Sequence, residues 1–225
     1  MPSPDRVADA PAPLGRRERK KLATRDRILE CAVALFAARG YDSTTMEDIG
    51  ERADVARATV FNYFARKEDI VYEWFSRRRA DLAEILADAE QQMTDTTSRL
   101  RHAFGGLARF YEDDPATGRA MVRAWLRAGG PLLPYASETP ALLAHTIRLG
   151  QQQGDIRPDV DPAHVGLVLF DAYVGVLYRW VSNEDDQFDF EENLTATLDL
   201  VLPGITRQPS ANRNRRGRSK KPSDQ

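Results

Sequence analysis

The 225-residue sequence predicts an all-α protein of about nine helices, with an N-terminal three-helix unit containing a helix-turn-helix and a larger C-terminal helical domain. Three observations predict this class. Apolar residues recur at helical spacing along most of the chain, without an alternating strand pattern or an internal repeat. Gly, Pro and Asp stand where these stretches start and stop. Between Thr44 and Lys67, two short helical patterns meet at a tight turn.

The first helix carries Ile28, Ala32, Leu35 and Phe36 on one stripe and ends at Gly40. Ile49, Ala53, Val55, Val60 and Phe64 supply the apolar side of the next two, so three helices share one small core. The fourth runs from Lys67 to about Met93, with Ile70, Trp74, Leu82, Ile85, Leu86 and Ala89 as its stripe and Glu68 and Asp69 in its first turn. It is expected to link the two domains. Helices over residues 97–113 and 116–128 follow, the second opened by Pro115 and stopped by Gly129-Gly130-Pro131. A helix over 140–153 then leads to a turn, residues 154–162, in which Asp161 caps the next helix.

That helix, residues 162–182, is apolar nearly all the way round. Val165, Leu169, Ala172, Val176, Leu177 and Trp180 make one face, and Leu167, Phe170, Val174 and Tyr178 much of the other. Asp171 and Arg179 interrupt any uncharged stretch long enough to span a bilayer, so a membrane is not implied. A partner subunit covers the surplus face better. With the last helix, residues 190–202, it forms an expected homodimer interface built from Val165, Leu169, Val176, Trp180, Leu194 and Leu198.

The formal net charge is -2, but its distribution is uneven. Arg16, Arg17, Arg19, Lys20, Lys21, Arg25 and Arg27 against Glu18 and Asp26 make residues 16–27 net +5. Seven basic side chains against Asp224 make residues 207–225 net +6, and Asp5, Arg6 and Asp9 make residues 1–15 net -1, which leaves -12 on residues 28–206. Cations are thus offered to phosphate at chosen places while the rest of the surface discourages indiscriminate wrapping by nucleic acid. Four units are expected: a disordered extension over 1–15, a basic arm and helix-turn-helix over 16–66, a helical domain over 67–206 and a disordered basic tail over 207–225. The lone Cys31 excludes an internal disulfide, and the N-terminus lacks the pattern of a secretory signal, so a cytoplasmic protein is expected. His102, His145 and His164 have no metal-ligand spacing, no Gly-rich phosphate loop follows a strand, and Cys31 lacks a base partner. Neither catalytic residues nor a metal or cofactor are expected.

The basic lead-in and the stretch ALFAARGYDSTTMEDIGERADVARATVFNYFARKEDIV, followed by helices that include GDIRPDVDP, resemble the TetR (tetracycline-repressor-like) family of transcription regulators. The match covers roughly residues 23–72. The resemblance implies a homodimeric repressor on a palindromic operator in double-stranded DNA, released when a small-molecule effector enters the C-terminal domain. A regulator answering to a protein partner, or acting as an activator, is the alternative. By the same resemblance the operator-facing positions are Thr45, Arg57, Ala58, Thr59, Asn62, Tyr63 and Lys67, joined by Arg25 of the basic arm and by Thr44.

Their chemistry suits those places. Arg57 can fork onto guanine, Asn62 onto adenine, and Ala58 or the Thr59 methyl can touch a thymine methyl. Thr45, Tyr63 and Lys67 suit phosphate oxygens. Thr44-x-x-Glu47 also reads as a capping box, so Thr44 and Thr45 stand equally as caps. The sequence departs from the family pattern at Gly50, Asp54, Ala56, Phe61 and Arg66. Tyr111, Trp125, Tyr135, His145, Phe170, Asp171 and Tyr173 fall on helices that the resemblance places around an effector pocket. Asp171 either counters a cationic ligand or meets an arginine such as Arg123, Arg127 or Arg179.

Overall fold

The computed structural model describes residues 15–130, 138–183 and 188–207. Among them the chain forms nine helices: α1 (Arg16–Arg39), α2 (Met46–Arg52), α3 (Arg57–Tyr63), α4 (Lys67–Gln92), α5 (Thr96–Glu112), α6 (Pro115–Arg127), α7 (Thr139–Gln153), α8 (Pro162–Ser182) and α9 (Phe190–Ile205). Residues 1–14 and 208–225, which hold the expected disordered termini 1–15 and 207–225 except for Gly15 and Arg207, lie outside the described residues.

The starts of the later helices follow local chemistry. Asp95, Asp114, Asp161 and Asp189 each accept a backbone N–H from the first turn of the helix they precede, and Pro115 and Pro162 occupy first-turn positions whose N–H needs no intrahelical partner. Asp161 is the cap that the sequence indicates.

In the N-terminal head, Ile28, Ala32 and Phe36 of α1 meet Ile49, Val60 and Phe64, all at most 1% exposed. The long α4 leaves this head without a break and runs along α5, α6 and α7. In the larger part, α5 is central. Leu100, Phe104 and Tyr111 on it pack with Leu169, Val176 and Trp180 of α8 and with Leu194 and Leu198 of α9 in one apolar core. Helices α7 and α8 cross closely at Gly166, where an added Cβ would stand 2.4 Å from the Pro140 carbonyl oxygen. The turn before α8 is pinned to the chain's end by an antiparallel bridge between Ile156 and Thr206, with Arg157 N–H donating to Ile205 O at 2.9 Å and Arg207 N–H to Asp155 O at 2.8 Å.

All six residues expected at a dimer interface, Val165, Leu169, Val176, Trp180, Leu194 and Leu198, are buried within a single chain, none more than 6% exposed. They belong to its own core. Helix α8 is apolar on two sides, and the side turned inward is the one that the sequence reading assigned to a partner. Leu167, Val168 and Tyr178 of α8 and Leu200 of α9 stay exposed instead.

Candidate DNA-reading surface and effector cavity

The helix-turn-helix is set by side chains that fix its first helix. Thr45, not Thr44, caps α2: its Oγ1 accepts the Asp48 N–H at 3.1 Å, and Asp48 Oδ2 accepts the Thr45 N–H at 2.8 Å. The Thr45 hydroxyl also donates to Asp48 Oδ2 at 2.7 Å, and this bond, the Thr45 N–H and Arg39 at 2.8 Å hold the Asp48 carboxyl below the usual carboxylate range. Thr44 is fully buried and donates to Gly40 O at 2.8 Å, so it closes α1 and meets no DNA. Its expected box partner Glu47 turns outward and pairs with Arg57 at 2.7 Å.

After α2 the chain reverses at Asp54, whose φ of 49° lies in the left-handed region that glycine adopts with least strain. Gly50 has a packing reason: an added Cβ would stand 3.1 Å from Val55 O and 3.2 Å from Val60 Cγ2, so alanine here would press the turn and α3 outward by a few tenths of an ångström. Helix α3 then points Val60 inward and leaves Arg57, Ala58, Phe61 and Asn62 exposed, with Thr59 and Tyr63 half-buried. The Arg57 guanidinium lies 5.3 Å from the Phe61 ring centre. The outer face is therefore a fork donor, an amide and apolar groups on one short helix, the set that reads base edges in a major groove.

Two expected contacts are drawn inward. Arg25 donates to Tyr63 O and to Glu73, each at 3.0 Å, and its guanidinium lies 4.4 Å from the Phe64 ring centre. It is a strut between α1, the end of α3 and α4. Lys67 Nζ donates to Tyr41 O at 2.7 Å and lies 4.2 Å from that tyrosine's ring centre. It tethers the turn after α1 to the start of α4.

The larger part holds a cavity of about 340 Å³, open to solvent on one side, between α4, α5, α6, α7 and α8. Tyr111, Trp125, Phe170, Asp171 and Tyr173 line it, as expected from the sequence. His145 does not: it is exposed on the outer side of α7. Tyr135 lies outside the described residues. The wall that the sequence reading missed is α4, which contributes Tyr72, Phe75, Arg78 and Arg79. Tyr72, Phe75, Arg79 and Leu82 recur every three or four residues, a second stripe beside the apolar one already noted. Asp171 is exposed and, among the described residues, forms no ion pair with Arg123, Arg127 or Arg179, so a costly buried carboxylate does not arise.

In the cavity wall, the Tyr173 hydroxyl donates to Tyr111 Oη at 3.0 Å. Burial pushes the Tyr111 phenol up to about 12, and burial, helped by Tyr111, raises Tyr173 as well, so both remain neutral donors. Arg78 lies 3.6 Å from the Phe110 ring centre and pairs with Asp81 at 2.7 Å; burial lowers its pKa from the usual arginine value. Arg79 donates to Ser76 Oγ at 3.1 Å and Tyr72 Oη at 3.3 Å. Among the described residues no group of three or more His, Cys, Asp or Glu side chains is placed to hold a metal ion.

The cavity and the head share α4. One residue before Arg78, Arg77 reaches Asp26 of α1 at 2.6 Å and Glu73 at 3.2 Å, and Arg127 at the end of α6 lies 3.5 Å from Asp42 beyond α1.

The sequence model described as "Bacterial regulatory proteins, tetR family" matches residues 28–73. The chain is 26% identical over 199 residues to the HTH-type transcriptional repressor KstR of Mycolicibacterium smegmatis, covering 86% of this chain and 91% of that one. It is 28% identical over 200 residues to the HTH-type transcriptional regulator TcmR of Streptomyces glaucescens, with 85% and 88% covered. Among solved structures it resembles Thermus thermophilus FadR, a TetR-family repressor in complex with lauroyl-CoA, with a TM-score of 0.66, 30% identity, and 83% of this chain and 98% of that one covered.

Proposed function

The chain belongs to the tetR family of bacterial regulatory proteins, and from this we infer that it is a sequence-specific DNA-binding transcriptional repressor, acting in the cytoplasm as a homodimer and released from its operator by a small molecule. One observation carries the reading: a single helix, α4, both walls a cavity and anchors the head that presents Arg57, Ala58 and Asn62. A filled core would favour control by a protein partner. The cavity, of about 340 Å³, is of a size for a small organic ligand and favours a chemical signal.

The action follows from the geometry. An effector that fills the cavity pushes on Tyr72, Phe75 and Arg79, and α4 moves with them. Glu73 and Arg77, on the same helix, hold Arg25 and Asp26 of α1, so the head turns with α4. Two heads set by a two-fold axis then lose the spacing of successive major grooves, about 34–36 Å. The proposed dimer face is the outer side of α8 and α9, where Val168, Tyr178 and Leu200 are exposed and Gly175 and Gly204 leave open space.

Selection of bound duplexes from random sequence tests the proposal. Two inverted half-sites one helical turn apart, or a multiple of it, are expected. Selected sites with a single half-site, or no enrichment at low ionic strength, would overturn it.

A further inference from the structure

We propose that the effector is an amphipathic organic anion, whose apolar body fills the aromatic cavity and whose charged group seats on Arg79 and Arg78. This rests on the reading of the cavity as an effector site and adds the sign of the ligand's charge.

The lining is unbalanced in one direction. Arg78 and Arg79 are half-buried, whereas Asp171, the one carboxylate in the lining, is exposed to solvent. Arg78 has Asp81, itself half-exposed, as its acidic partner. Arg79 has none among the described residues: its guanidinium donates only to the hydroxyls of Ser76 and Tyr72. The Nε atoms of both arginines are buried without an acceptor. A guanidinium taken partly out of water and left without a counter-charge costs stability, and an anion arriving beside it recovers that cost. The rings of Phe110, Trp74 and Tyr72 hold the two guanidinium groups in place without neutralising them.

The hydroxyl pair points the same way. Tyr173 spends its hydrogen on Tyr111, and no described residue accepts the hydrogen of Tyr111. The polar groups turned to this cavity are thus mostly donors, and a ligand rich in acceptors satisfies them. A cation would meet two guanidinium groups of like charge. A neutral apolar molecule would fill the volume but leave them unmatched.

Four probes with the same ten-carbon body test this by calorimetry on the full chain: decanoate, decanoyl-CoA, decanol and decyltrimethylammonium. At least one of the two anions should bind about tenfold more tightly than decanol, the gain of roughly one charge-assisted hydrogen bond. Preference for decanoate assigns a free carboxylate, and preference for decanoyl-CoA assigns its phosphate-bearing thioester. Arg79→Gln should bring the anion's affinity down to that of decanol, while Arg79→Lys, which keeps the charge and guards against a folding defect, should retain most of the preference. Decanol or decyltrimethylammonium binding as tightly as either anion, a preference that survives Arg79→Gln and Arg78→Gln alike, or no binding of any probe would overturn the proposal. Operator binding measured on the same samples separates the two readings: protein that holds its operator yet shows no anion preference sinks only the charge assignment, whereas protein that binds no duplex sinks the regulator itself.

Discussion

Arg77 on α4 reaches Asp26 on α1 at 2.6 Å, and its neighbour in sequence, Arg78, stands in the wall of the cavity. Successive helical residues point about 100° apart, so one turn of α4 faces both the reading head and the ligand space. The Arg77 pair is half-exposed, and its net contribution to stability is about 0.5 kcal/mol or less. Its use is orientation. Arg77→Ala should therefore leave operator affinity within about threefold of the parent and Tm nearly unchanged, while the effector concentration needed for release rises. Release titrations of parent and variant that coincide would refute this.

Glu73 gives the same joint a pH dependence. Burial pushes its carboxyl up, but the hydrogen bonds and charges of Arg25 and Arg77 outweigh this and hold it below its ordinary 4.5. A carboxyl with a depressed folded-state pKa contributes stability that is present above the unfolded value and lost as pH falls through the folded one. Thermal unfolding followed below the ordinary 4.5 should show the parent losing Tm more steeply than Glu73→Gln, which has no proton to gain. Parallel curves would remove Glu73 as the cause.

Arg57 is held by Glu47 in the free protein and must leave or share that partner to fork onto a guanine. Arg57→Ala should relax base preference at one operator position by roughly 1–3 kcal/mol. Glu47→Gln should act oppositely and tighten operator binding, since it frees the fork and removes a negative charge facing phosphates. Competition assays against single-base operator variants read both effects.

Lys67 distinguishes a tether from a phosphate contact. Loss of a phosphate contact lowers the salt slope by about one and leaves Tm unchanged. Loss of the bond to Tyr41 O lowers Tm instead, by an amount corresponding to about 1–2 kcal/mol. The inward placement of Lys67 leads us to expect the second outcome from Lys67→Ala.

The exposed side of α8 and α9 predicts the assembly. Leu200→Glu should yield a monomer by sedimentation while the helical signal is kept, because Leu200 is 84% exposed in the single chain. Leu198→Glu, two residues earlier and buried, should unfold the domain. If both variants stay dimeric, or both unfold, the face is misassigned.

Helix order and the Asp161 cap were legible in the sequence because both are local. Residues 162–182 were legible as a helix but not as an oriented one. When both sides are apolar, periodicity marks two stripes and cannot tell which is inward, and here Val165 and Trp180 went in while Leu167 and Tyr178 stayed out. The α2 cap failed for a similar reason. Thr44-x-x-Glu47 and Thr45-x-x-Asp48 are the same pattern one residue apart, and only the burial of Thr44 against the first helix decides between them. Arg25 and Lys67 read as free cations because the partners that occupy them are distant in sequence: Tyr63 and Glu73 for one, Tyr41 for the other. The cavity's aromatics on α5, α6 and α8 were anticipated. Its two arginines were not, since a basic residue at helical spacing ordinarily marks a solvated surface.

Leu200, bare in the isolated chain, has a consequence for the cell. On the proposed pairing, subunits gain stability from one another by mass action, so the amount of protein made sets how much of it is assembled and durable. Scarce copies would drift apart and be cleared sooner than abundant ones. Dosage thereby becomes a second input, beside whatever enters the cavity, to how firmly the target genes are held silent.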